Sequence, residues 1–159
     1  MSRALLLTVL LMLCSCGELP EGLTPDLGAR VSSWIPGRSD VLAYEDITGS
    51  GYSGHHVARD SATFAAIWYE AFGWMNQPQP PVDFTTQMII LAVSVGPAGE
   101  QVRLDSVVTY TSGVRGFVST CSLPLPLAVE GHPGYLVRAP RNEGMYFNTR
   151  RVSPCWSLS

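Results

Sequence analysis

The chain has 159 residues, a formal net charge of −3 and a pI of about 5.5, with 46% hydrophobic and 14% charged residues. That length fits one domain of ordinary size, and the balance is globular rather than disordered. A nucleic-acid binder would show a basic patch and a high pI, so that class is excluded.

The first predicted element is a secretory signal over residues 1–15. Arg3 precedes an apolar run from Ala4 to Leu13, and small residues and cysteines follow at once. The run is about half the length that a helix needs to cross the hydrocarbon. Its exit, Leu13-Cys14-Ser15-Cys16, resembles the lipobox of bacterial lipoproteins. The resemblance implies cleavage before Cys16 and acylation of Cys16, with palmitate-type chains holding the protein on a membrane. Cys14 is the weaker candidate, because bulky Leu13 would then occupy the cleavage position. An ordinary signal peptide that leaves a soluble protein is the alternative. Gly17 is not the Asp associated with inner-membrane retention, which favours the outer membrane of a bacterial cell envelope.

Residues 16–40 are punctuated by Pro, Gly and Ser and show no period, so they read as a flexible tether. Trp34-Ile35 is an apolar pair within it where the tether would dock. The ordered domain is expected over residues 41–159. Val41–Ile47 reads as a strand, residues 48–51 as a turn, and Tyr52–Arg59 as a strand pairing back in a hairpin. Asp60 or Ser61 caps a helix whose apolar face carries Phe64, Ile67, Trp68 and Ala71, ending at Gly73. Asn76–Pro81 breaks the chain.

Met88–Val95 is apolar without alternation, which predicts a central strand covered on both faces. From Gln101 to Thr111 the pattern alternates, placing Val102, Leu104, Val108 and Tyr110 on one face, with Arg103, Asp105 and Thr109 on the other. Val114–Cys121 returns from the turn at Ser112-Gly113. After a Pro-rich connection, Tyr135–Ala139 and Met145–Val152 are the last strands, separated by a turn at residues 141–144. The expected class is α+β, a largely antiparallel sheet with one amphipathic helix packed on it.

The chemistry-bearing residues read mainly as structural. With Cys14 in the signal and Cys16 lipidated, Cys121 and Cys155 are an even pair in an oxidising compartment, so a disulfide is expected; a catalytic Cys121 or a metal-binding pair is the rival. His55 and His56 are adjacent on a strand and point to opposite faces, so they do not share a metal. His132 has no evident partner. Asp83, at a strand entry, reads as a carboxylate accepting amides at a turn. No nucleophile elbow, phosphate loop or metal motif stands out, and the expectation is a protein with no cofactor, no metal site and no catalytic residues.

Ser61–Trp68, Pro81-Val82-Asp83-Phe84, the strand Met88–Val93 and the segment Tyr135–Arg141 together resemble the C-terminal domain of the protease complex subunit PrcB family. The cysteines after the meander and at the C-terminus also recur in some members. A Gly-Gly-Tyr turn usual in the family is replaced here by residues 96–101. The resemblance implies a non-catalytic, lipid-anchored envelope module that binds an exported protein, such as a protease, as an accessory or stabilising subunit. Two alternatives stand beside it: a lipoprotein that binds a small ligand, and a Ser or Cys hydrolase. The oligomeric state is not encoded.

Overall fold

The computed structural model describes residues 25–47, 51–97, 99–122 and 130–155. The signal, Cys14, Cys16, the turn at residues 48–50 and the loop Leu123–Leu127 lie outside the described residues. Among the described residues no helix is long and apolar enough to cross a membrane.

In chain order the elements are β1 (Arg30–Trp34), β2 (Val41–Asp46), β3 (Gly54–Ala58), α1 (Ser61–Phe72) and β4 (Gln87–Val93). They continue as β5 (Gly96–Pro97), β6 (Glu100–Tyr110), β7 (Gly113–Ser122), β8 (Glu130–Gly131), β9 (Pro133–Pro140) and β10 (Met145–Arg151). Short 3-10 turns stand at Arg38–Asp40 and Gly73–Met75. A middle sheet runs β2-β9-β4-β3 and an outer sheet runs β1-β6-β7-β10, while β5 and β8 form a small separate ladder. Every pairing is antiparallel except β7 with β10, which is parallel. The class is α+β, as the sequence predicts.

The unbroken apolar run of β4 has a direct physical cause. Successive side chains leave a strand on opposite faces. Ile89, Leu91 and Val93 pack with Phe64, Ile67, Trp68 and Phe72 of α1. Met88, Ile90 and Ala92 face Val102, Leu104, Val107 and Val118 of the outer sheet. The middle sheet is therefore covered on both faces, in a helix–sheet–sheet stack. Each large side chain fully buried there contributes roughly 1.5–3 kcal/mol.

Helix α1 starts where its cap residue dictates. Asp60 is extended, and its Oδ1 accepts from the Thr63 amide at 2.8 Å. Its carboxyl is held below the usual range by the Thr63 amide and then the Thr63 hydroxyl. The helix ends at Phe72, but Gly73 remains right-handed and begins a 3-10 turn. The left-handed residue is Asn76, at φ 52°, whose amide donates to the Gly73 carbonyl.

Three expectations are corrected. First, β2 and β3 do not form a hairpin. They are opposite edges of the middle sheet, with β9 and β4 between them. The more apolar strands occupy the doubly covered centre, and the half-exposed ones are displaced to the rims. Second, the register of β6 with β7 shifts between Leu104 and Ser106. A bulge adds one residue and exchanges the faces beyond it. Val107 therefore joins the inter-sheet core, and Val108 lies on the opposite face. Third, the tether drawn over residues 16–40 includes part of the folded body: β1 pairs with β6, and Leu27 is buried. An edge strand with one polar side shows little apolar period, which is why Arg30–Trp34 reads as linker.

Candidate functional site

The residues that suggested chemistry are dispersed. The Cys121 and Cys155 sulfurs lie at 2.24 Å with Cα atoms 5.4 Å apart, a disulfide that ties the end of β7 to the segment after β10. Cys121 is fully buried. A thiol nucleophile needs a free, accessible sulfur, and this sulfur is bonded.

The histidines serve three different places. His55 stacks on Phe147 with ring centroids 4.5 Å apart and planes 5° from parallel, and its Nε2 is 3.1 Å from Thr149 Oγ1. These contacts join the β3 edge to the β10 edge. Gly116 is required beneath the Phe147 ring, because a Cβ there would meet Phe147 Cε1 at 2.7 Å. Burial, and then the neighbouring His56, push the His55 pKa down to about 4. His56 Nε2 is 2.8 Å from the Ser53 carbonyl, and its ring sits edge-on to Tyr52. His132 Nε2 is 2.8 Å from Glu130 Oε1, while its amide donates to Asp46. Among the described residues no three His, Cys, Asp or Glu side chains form a cluster suited to a metal ion.

On the face of the outer sheet away from the core, Asp105 occupies the bulge. It pairs with Arg103 at 2.8 Å and with Arg150 at 3.5 Å. It also accepts from the hydroxyl of Ser119, a residue that is fully buried. Arg150 Nε in turn donates to Ser119 Oγ at 3.2 Å. The network clamps β6, β7 and β10 together side by side.

Asp83 builds a corner, as its sequence context suggests. Its Oδ1 accepts from the Thr85 amide at 3.0 Å and the Thr85 hydroxyl at 2.6 Å, and its Oδ2 accepts from the Thr86 hydroxyl at 3.1 Å. The Thr85 hydroxyl, then the Thr85 amide and the Thr86 hydroxyl, hold its carboxyl below the usual range. Arg141 locks the same corner by donating to the Arg59 and Phe84 carbonyls. The consequence is positional: Thr86 and Gln87 are delivered at a defined place at the start of β4.

There they meet residues from three other segments. Trp34 at the end of β1, Asp40 of the 3-10 turn, Thr86, Gln87, and Arg138 to Pro140 at the end of β9 line a cleft of about 270 Å³. Arg138 Nη2 donates to the Ser39 carbonyl at 3.0 Å, which places the guanidinium at the wall. Asp40 Oδ2 accepts from the Gly37 amide at 2.8 Å, which places the carboxylate. Trp34 also packs on the inter-sheet core, so its indole is fixed from behind. Sequence reasoning missed this cleft. Its one visible signal is Trp34, an isolated large aromatic in an otherwise polar segment.

The β1 rim beside the cleft is open, and two of its exposed side chains are apolar. Val31 is 65% exposed and Ile35, just beyond the strand, is 71% exposed. No family model, curated protein or solved structure matches the chain. The resemblance to the PrcB family rests on the quoted residues alone.

Proposed function

We propose that this chain is a non-catalytic interaction module, anchored to a bacterial envelope membrane through lipid on Cys16. It binds an exported partner protein through the β1 rim. The PrcB resemblance suggests an accessory or stabilising subunit of an exported protease. The observation that carries the reading is the pair Val31 and Ile35, exposed beside the outer strand of a sheet. An edge strand offers unpaired backbone groups to another chain, and exposed apolar side chains beside it add burial on contact.

The test is site-specific photocrosslinking at Val31 and Ile35 in intact envelopes. The reading expects one recurrent exported protein to crosslink there, and Val31→Asp with Ile35→Asp to abolish its co-purification. Crosslinks to lipid alone, or none, overturn it. Cys16→Ser should release the protein from the membrane fraction; a variant that stays bound contradicts the anchor.

A second reading, a small-ligand-binding lipoprotein, is favoured by the cleft at Trp34, Asp40 and Arg138. Concave sites with a few convergent polar groups are where small ligands bind.

A further inference from the structure

The cleft holds two opposite charges that do not satisfy each other. Arg138 and Asp40 line the same space, yet they form no ion pair with each other or with another residue among the described residues. Each is instead held by a single backbone group, Ser39 O for the guanidinium and the Gly37 amide for the carboxylate. The guanidinium keeps further N–H donors, and Asp40 keeps Oδ1. Charged groups positioned by backbone and left facing a cleft are pre-organised for a ligand.

The charge pattern restricts what that ligand is. A plain anion drawn to Arg138 would share the cleft with the Asp40 carboxylate. A plain cation at Asp40 would share it with the guanidinium. A molecule carrying both an ammonium and a carboxylate meets one partner for each. The carboxylate suits the planar donors of Arg138. The ammonium suits Asp40 and the face of Trp34. The cleft volume, about 270 Å³, falls just below the roughly 300–1,000 Å³ typical of sites for drug-sized ligands, so the occupant is small. Thr86 and Gln87 line the same cleft, with their side chains hydrogen-bonded to the Asp83 corner.

We propose that the cleft between the end of β1 and the start of β4 binds a small amino-carboxylate zwitterion, a free amino acid or a short peptide. Arg138 takes the carboxylate, Asp40 the ammonium, and Trp34 forms the apolar wall. The inference rests on the second reading and is independent of the β1 rim.

The experiment is a ¹H–¹⁵N NMR titration of the full chain in detergent, following the Trp34 indole N–H and the Arg138 side chain. The probes are L-leucine, leucyl-leucine, N-acetyl-leucine and leucinamide. Both zwitterions should shift these signals, and the stronger of the two identifies a free amino acid or a peptide as the source. Each singly blocked probe should bind roughly fivefold more weakly, the scale of one partly exposed charge contact. Asp40→Asn should remove the penalty for acetylation alone, and Arg138→Gln the penalty for amidation alone. The four-probe comparison on the unaltered protein needs no variant and stands even if one fails to fold. Blocked probes binding as well as the zwitterions overturn the inference while leaving a ligand site. No shift with any probe overturns both.

Discussion

The middle and outer sheets share one core but solve different problems. The middle sheet lies between α1 and the outer sheet, so β4 and β9 carry apolar side chains on both faces. The outer sheet packs one face on the middle sheet, and its other face combines buried Val108 and Ser119 with side-chain polar pairs, the Asp105 network, and a covalent bridge at Cys121. Burial in the middle sheet is continuous and leaves no room for a site. The candidate surfaces lie at the rims, where a strand end or an edge lacks cover.

That contrast is most easily broken from the helix side. Trp68 is fully buried among Phe64 and Phe72, and its indole N–H donates to the Gln77 carbonyl at 3.2 Å. Trp68→Ala should cost about 3–5 kcal/mol, read as a lowered urea midpoint at unchanged slope. In the outer sheet the largest single loss should be the bridge. Replacing Cys121 and Cys155 by Ala opens a loop of 34 residues, which the chain-entropy relation values at roughly 3–4 kcal/mol. If the double Ala variant melts like the parent, the inter-sheet core and the polar network hold the outer sheet without the bridge.

How much of this was legible from sequence follows from the same contrast. Doubly covered β4 announced itself, because burial on both faces leaves an unbroken apolar run. Helix α1 and its Asp60 cap were legible because cap and period are local. The β2–β3 hairpin was misread because adjacency in sequence was taken for adjacency in the sheet, and pairing with β9 and β4 is decided by burial. The bulge at Asp105 carries no composition signal, so every face beyond it was inverted. The cleft was invisible for a stronger reason: residues 34, 40, 86–87 and 138–140 are brought together only by topology. Asp83 was readable as a corner, but not as the corner that sets the cleft's Thr86 and Gln87.

The seam between the two sheets at His55 should respond to acid. Its folded pKa of about 4 lies below the ordinary 6.5, so the folded state resists protonation more than the unfolded chain does. The unfolded state therefore binds more protons between these values, and stability rises with pH across that window. This contribution is complete above pH 6.5 and is lost as pH falls toward 4. His55→Phe keeps a ring on Phe147 and removes the titration. Urea unfolding at pH 7 and pH 4 should show a smaller difference for the variant than for the parent. Equal differences would assign the acid response to other groups.

The smallest effects should come from the face of the outer sheet turned away from the middle sheet, and they separate two ways a polar network acts. Arg150 is 66% exposed in its side chain, so its pairing with Asp105 is screened and Arg150→Ala should cost under about 1 kcal/mol. Asp105 is only 14% exposed and accepts the hydroxyl of buried Ser119. Asp105→Ala removes that acceptor, and an unsatisfied buried hydroxyl costs about 1–3 kcal/mol. Ser119→Ala in the Asp105→Ala background should recover part of the loss, because no hydroxyl then remains to be satisfied. If the two losses simply add, Ser119 finds another partner and the bulge, rather than the carboxylate, holds the three strands together.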